Sequence, residues 1–210
     1  ASDNRQPSST RETLERNLAE FGAARRVYDQ IRILDASGQE TVRINAGQEG
    51  TRIVPLQELQ DKSDRYYFKE AVTLRAGEFY VSPLDLNIER GRIEIPFKPM
   101  MRFATPVFDS TGSVRAVVVL NYLAGRLIRN FVELGRSEVT GAQSMLVNSD
   151  GYWLRSPVAE DEWGFLFQDR GNRRFDRTFP EAWWQIRARE EGAIETPNGL
   201  FTFAPIYPVR

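Results

Sequence analysis

Cysteine and histidine are both absent from this 210-residue sequence. Without them there are no thiol nucleophiles, no Ser-His-Asp or Cys-His arrangements, and no zinc or haem sites built on thiolate or imidazole. Carboxylate chemistry remains, as does a hard cation such as calcium held by oxygen ligands. An excess of charge is missing too. Lys and Arg number 28 against 29 Asp and Glu, a net charge of -1, which argues against nucleic acid because a phosphate backbone demands a basic stripe. The one local basic cluster, Arg155, Arg170, Arg173, Arg174 and Arg177, reads as a solvated loop.

Long apolar runs are lacking as well. Ala116 to Leu120 is among the longest, far short of the ~18 residues of a membrane helix. The chain begins at Ala1 rather than Met and stops at Pro208-Val209-Arg210, directly after a predicted strand. The expectation is a soluble fragment of a longer protein, whose own signal peptide or membrane helices this stretch would not reveal. Missing cysteine suits an oxidising extracytoplasmic space, where a stray thiol is a liability.

What is present is an aromatic-rich globular composition, long enough for one large domain or two small ones of roughly 100 residues. Ser9-Thr10-Arg11-Glu12 fits a capping box, and Leu14, Leu18, Phe21, Ala24 and Tyr28 follow at helical spacing on a polar rod. Such a stripe must lie against a sheet or form a dimer seam. Val27 to Leu34 turns to strand character, and Asp35-Ala36-Ser37-Gly38 folds it back into Glu40 to Ile44. The same device, Asp or Asn closing a strand with glycine soon after, recurs at Asp109 to Gly112 and at Asn148 to Gly151.

Between these turns, Ser63 to Ala71 reads as a short helix, followed by strands over Glu78 to Asp85, Met101 to Phe108 and Val114 to Tyr122. The last of them is apolar on both faces and therefore central. Asn87 to Pro99 is a charged excursion, a hairpin or a lid. Leu123, Leu127, Phe131 and Leu134 make a second amphipathic helix that Gly135 stops. Beyond it, Ser144 to Val147 pairs with Tyr152 to Arg155, and Thr178-Phe179-Pro180-Glu181 offers a cap for a helix carrying Trp183 and Trp184. Asn198-Gly199 turns a final hairpin. The fold class is mixed α/β of the α+β kind, with a long leading helix and two modules, each an antiparallel sheet flanked by helices.

Arg65 stands at the start of the short helix, where the backbone already carries partial positive charge and Asp or Glu is preferred. A bound anion would reverse that penalty, with Tyr66, Tyr67 or Phe68 as walls and Asp85 answering an amine at the ligand's far end. Equally open is an Arg65-Asp64 or Arg65-Asp85 ion pair with the aromatics in the core. Strand alternation puts Arg102, Ala104 and Pro106 on one face, so that with Phe103 toward a core Arg102 faces either solvent or the pocket, solvent being the favoured side. Asn121 either offers its amide to a ligand or caps the following helix. Glu89, Glu94, Asp161 and Glu162 fall in predicted loops with no convergent geometry.

In their order along the chain, these pieces resemble the double Cache extracytoplasmic sensor domains, tandem PAS-like modules of bacterial transmembrane receptors. The resemblance spans nearly the whole chain. It rests on the leading helix, on Tyr28-Asp29-Gln30-Ile31-Arg32 and on Leu59 through Phe68. It rests also on Tyr80-Val81-Ser82-Pro83-Leu84-Asp85, on Arg102 through Asp109, and on Asn198-Gly199-Leu200-Phe201-Thr202-Phe203. It implies a leading helix over residues 1–27, a membrane-distal ligand-binding module over 28–134 and a smaller membrane-proximal module over 135–210. Amino-acid-binding members carry an arginine and then a Trp-Tyr pair at the pocket helix; here Arg65 matches the arginine, with Tyr67 and Phe68 at the paired aromatic positions. Asp85 resembles one acidic position, while Asn121 stands where another Asp is expected, which leaves a carboxylate or other small polar metabolite open beside an amino acid.

The implied ligand-binding set is Arg65, Tyr66, Tyr67, Phe68, Ser82, Asp85, Arg102 and Asn121. The implied setting is the periplasmic part of an inner-membrane receptor, anchored by flanking helices and homodimeric through the leading helix, with no cofactor and no catalytic activity in this fragment. The alternatives are a protein-interaction or dimerisation module without a small-molecule ligand and, third, a carboxylate-dependent hydrolase.

Overall fold

The computed structural model describes residues 9–47, 50–89, 91–134 and 141–207. The chain divides into two compact units, Ala1–Ala124 and Gly125–Arg210. The first opens with α1 (Thr10–Arg25), whose start is the expected capping box: Glu12 N donates to Ser9 Oγ and the Glu12 carboxylate accepts from Ser9 N. Strands β1 (Tyr28–Asp35), β2 (Glu40–Gly47) and β3 (Gly50–Ile53) follow, then a 3-10 turn over Leu56–Glu58 and the short helix α2 (Tyr66–Ala71). Next come β4 (Tyr80–Val81), β5 (Asp85–Leu86), β6 (Ile88–Glu89), β7 (Arg92–Ile93), β8 (Pro99–Phe108) and β9 (Val114–Leu123).

One antiparallel sheet, in the order β3-β2-β1-β9-β8-β4 with β5 also on β8, forms the frame. Its two faces bury different things. On one, Ile31, Val42 and Ile44 pack with Leu18 and Ala19 of α1, so part of the apolar stripe of α1 is spent on the sheet. On the other, Leu34, Ala104, Val117 and Val119 meet Tyr67, Phe68 and Ala71 of α2. Strand β9 lies between β1 and β8, the central position its two-sided apolar sequence requires.

The recurrent turns have one mechanism. Asp35 Oδ1 accepts from Ser37 N and Gln39 N, Asp109 Oδ1 from Thr111 N and Ser113 N, and Asn148 Oδ1 from Asp150 N and Tyr152 N. In the first of them Gly38 has φ +92°, and a Cβ there would lie 2.5 Å from Ser63 Cα. The close approach lets Lys62 N donate to Gly38 O at 2.9 Å and Glu40 N to Gln60 O at 3.0 Å. The segment leading into α2 is thereby stitched to the β1-β2 turn.

Several boundaries differ from the sequence reading. Helix α2 starts at Tyr66, because Arg65, not Ser63, is its N-cap. The expected strand over Glu78 to Asp85 is two short strands separated by Ser82-Pro83-Leu84, since proline cannot donate to a ladder. Leu123 closes β9 rather than opening a helix, and the Gly135 stop lies outside the described residues. The charged excursion holds the small β6-β7 ladder.

The second unit contains α3 (Gly125–Leu134), β10 (Leu146–Val147), β11 (Trp153–Arg155), α4 (Phe175–Thr178), α5 (Pro180–Arg187), β12 (Gly192–Thr196) and β13 (Gly199–Phe203). Trp153, Phe175, Ala182 and Ile194 form its core, with Trp183 packed against it, while Trp184 is 74% exposed. Phe179 occupies the N-cap of α5 without a side-chain bond; the expected cap, Thr178, instead donates its hydroxyl to Arg174 O at the end of α4. Among the described residues, no helix is long and apolar enough to cross a membrane.

Replacing Gly38 by Ala forces a Cβ into the Ser63 backbone at positive φ and should cost about 1–3 kcal/mol. Gly112, with φ +82° and open space around an added Cβ, carries the conformational cost alone, about 1–2 kcal/mol. Thermal melts of the two Ala variants, with Gly38→Ala the lower, check this.

Candidate functional site

The face of the sheet beneath α2 changes character along its strands. Under the helix it is aliphatic, but one end carries a row of polar side chains in register across three central strands. Gln30 on β1 faces Asn121 on β9, and Asn121 faces Arg102 on β8; Asn45 on β2 extends the row beyond Gln30. Gln30, Asn121 and Arg102 are all buried. Buried polar groups are costly unless bonded, and these are bonded within the sheet or to a roof made by Asp85, Asn87 and Glu89.

Arg102 is the centre. Expected on the solvent side, it is 2% exposed, because β5 and α2 close over its strand. Its Nη1 donates to Asp85 Oδ1 at 2.6 Å and to Tyr66 Oη at 3.1 Å, and Tyr66 donates in turn to Asp85 Oδ2 at 3.0 Å. Its Nη2 lies 3.5 Å from Asn87 Oδ1, and its guanidinium stands 5.8 Å from the Tyr67 ring centroid. Ser82 Oγ accepts from Arg102 N at 2.8 Å and donates to Pro83 O at 2.8 Å, so its hydroxyl is occupied by backbone.

A second centre lies on β1. Arg32 is buried beside Glu40, and its Nη1 donates to Asn121 Oδ1 at 3.2 Å while Nη2 reaches Gln30 Oε1 and Glu89 Oε1. Arg32 Nε and Glu40 Oε1 are 3.0 Å apart yet misaligned, so the pair attracts by charge without a hydrogen bond. Glu40 Oε2 accepts from Arg43 Nη1 and Gln60 N, each at 3.0 Å. Gln30 also donates to Glu89 at 3.0 Å.

Of the eight expected residues, Tyr66, Tyr67, Ser82, Asp85 and Arg102 come together, and Asn121 adjoins them across the β8-β9 register. Asn121 is fully buried in mid-sheet, so it does not cap the next helix. Phe68 sits in the apolar cluster with Leu34 and Val117. Arg65 is half-buried at the N-cap of α2 and makes no side-chain hydrogen bond or ion pair with the described residues. Neither Asp64 nor Asp85 pairs with it; Arg102 takes Asp85.

The ligand-binding set read from the sequence omitted Arg32, Gln30, Lys62 and Asn87, and Glu89 was weighed there only as one of a possible catalytic carboxylate pair. A signal for two of them existed, since strand alternation places Gln30 and Arg32 opposite Ile31 and Ile33. What alternation does not say is that this polar face is roofed.

Burial pushes the Tyr66 phenol up to about 12 from its ordinary 10.0, with the Arg102 charge opposing. Below pH 10 both folded and unfolded phenols are protonated, and the stabilisation is complete. Between about pH 10 and 12 only the unfolded phenol ionises, so stability falls as pH rises. Absorbance titration at 295 nm should lose a late-titrating tyrosine in Tyr66→Phe, along with that part of the alkaline drop in melting temperature. Arg102→Met leaves Asp85 facing an apolar group and should cost about 3 kcal/mol; adding Asp85→Asn should recover part of it, as a double-mutant cycle by chemical denaturation measures.

The profile of the bacterial histidine kinase sensor domain matches residues 3–207. A domain of a sensory box/GGDEF family protein from Vibrio parahaemolyticus is similar in structure at a TM-score of 0.79 and 26% identity, over 97% of this chain and 76% of that one. The extracellular domain of a histidine kinase superposes at 0.77 and 26% identity, over 96% and 71%. The ligand-binding domain of the Pseudomonas aeruginosa amino-acid chemoreceptor PctC, in complex with GABA, shares the fold at 0.57 and 17% identity, over 92% and 71%. No curated protein matches the chain.

Proposed function

Given that the chain belongs to the bacterial histidine kinase sensor domain family, we propose that this extracytoplasmic sensor domain binds a small polar metabolite in its first unit, at the polar end of the sheet beneath α2. The observation that carries the reading is the buried row Gln30-Asn121-Arg102. Aliphatic side chains at those positions would stabilise the unit more simply, and polar groups held at such cost mark a recognition surface. Tyr66, Tyr67 and Asp85 border the row from α2 and β5, Arg65 stands at the N-cap of α2, and Asn87 and Glu89 cover the row.

Occupancy would exchange the Arg102-Asp85-Tyr66 ties for ligand contacts and shift the cover and α2 against the sheet. Helix α1 lies on the opposite face of the same sheet and would carry that shift toward a membrane-anchored output domain, within a dimer. No catalytic step is assigned to this unit; each carboxylate near the row is held by a cation or an amide.

A protein-docking reading has one observation in its favour. On the α1 face, beyond the helix, Tyr28, Phe79, Phe103, Val118, Leu120 and Tyr122 line an open apolar groove of about 410 Å³.

Thermal-shift screening with amino acids, carboxylates and sugars tests the sensing reading. At least one compound should raise the melting temperature, and Arg65→Ala, which removes no internal bond, should weaken its binding about tenfold or more. Equal affinity in Arg65→Ala would refute the pocket assignment, and a screen with no stabilising compound would favour docking.

A further inference from the structure

The charges in front of α2 do not balance one another. Among the described residues, Glu40 is held by Arg43 and Arg32, Asp85 by Arg102 and Tyr66, and Glu89 by Gln30 and Arg32, while Glu94 and the buried Asp29 share Lys98. Each of these carboxylates has a cation. Two described cations have no carboxylate in return. Lys62 is only 9% exposed, and its ammonium donates to the neutral Gln60 Oε1 at 2.6 Å while forming no ion pair with any described residue. Arg65 follows across a tight turn, its N–H donating to Lys62 O at 3.0 Å, and it too forms no ion pair with any described residue.

The Lys62 ammonium lies within electrostatic range of Arg32, Glu40, Glu89 and Arg65; burial, then Arg32, hold it below the ordinary lysine range. A desolvated cation beside other cations is unfavourable unless a negative group joins it.

We infer that the ligand of this site is a small organic anion without an ammonium group, an oxo acid or a dicarboxylate, whose carboxylate is received by Lys62 and Arg65. This rests on the sensing reading above and narrows it. A ligand ammonium would have to compete with an internal cation for each described carboxylate beside the row: Asp85 faces Arg102, Glu89 faces Arg32, Asp29 and Glu94 face Lys98, and Glu40, whose Oε1 accepts no hydrogen bond, lies 3.0 Å from Arg32 Nε. An α-amino acid would bring its positive group among Lys62, Arg32 and Arg65 against that competition, a repulsive element that selects against it.

The test uses matched pairs on the 210-residue protein: 2-oxoglutarate against L-glutamate, succinate against L-aspartate, and pyruvate against L-alanine, by titration calorimetry and thermal shift. At least one anion should bind, with its amino partner about tenfold weaker or more. Lys62→Gln should weaken that anion about tenfold or more and, because it removes an uncompensated buried charge, raise the melting temperature of the ligand-free protein. Arg65→Gln, at a half-exposed position, reads the same contact should the Lys62 variant not fold.

Amino acids binding as tightly as their partner anions would overturn the ligand class, and anion affinity unchanged in both variants would overturn the pocket assignment with it. If Arg65→Ala still weakened that amino-acid binding, the pocket itself would stand. Binding of no member of any pair would overturn both.

Discussion

The first unit depends on a guanidinium that has been taken out of water. Arg102 is placed by β8, a strand whose neighbouring residues are core, so it cannot turn outward without breaking the ladder on either side. Its charge must be answered from above, and the chain supplies Asp85 from β5, the Tyr66 phenol from α2 and Asn87 from the residue between β5 and β6. A six-residue helix and two-residue strands are too short to be stable on propensity. They are ordered because they complete this arginine's coordination and because Tyr67 and Phe68 fill the aliphatic space beside it.

A partly polar interior of this kind separates architecture from function. The aliphatic half of the α2 face and the apolar part of the α1 contact are ordinary burial, contributing stability in proportion to area. The polar half contributes little net stability, since the desolvation of Arg32, Glu40 and Arg102 offsets most of what their ion pairs return. What the polar half provides is a set of directional donors and acceptors that another molecule can compete for. That division suits a sensor domain, whose frame must persist while its recognition surface rearranges.

Much of this was legible in the chain. The capping box at Ser9, the three Asx turns and the apolar run of β9 are local devices, each set by neighbours in sequence, and they appear where their residue types demand. The aromatic start of α2 and the pairing of the site with Asp85 were visible as candidates, but their partners were assigned to the wrong arginine. Arg65 is conspicuous in sequence because it sits at a helix start, whereas Arg102 looks like any polar residue in an alternating strand. Whether an alternating polar face is wet or covered depends on elements far away in sequence, here β5 and the Asn87–Pro99 excursion. The same long-range dependence hid Lys62, whose burial follows from its pairing with Gly38.

That pairing sets a limit on how the unit can deform. With Gly38 in van der Waals contact with the Ser63 backbone and two ladder-like bonds beside it, the run before α2 has no slack relative to the first hairpin. A pull on Lys62 therefore loads β1 and β2 directly, as a tow-bar does and a rope does not.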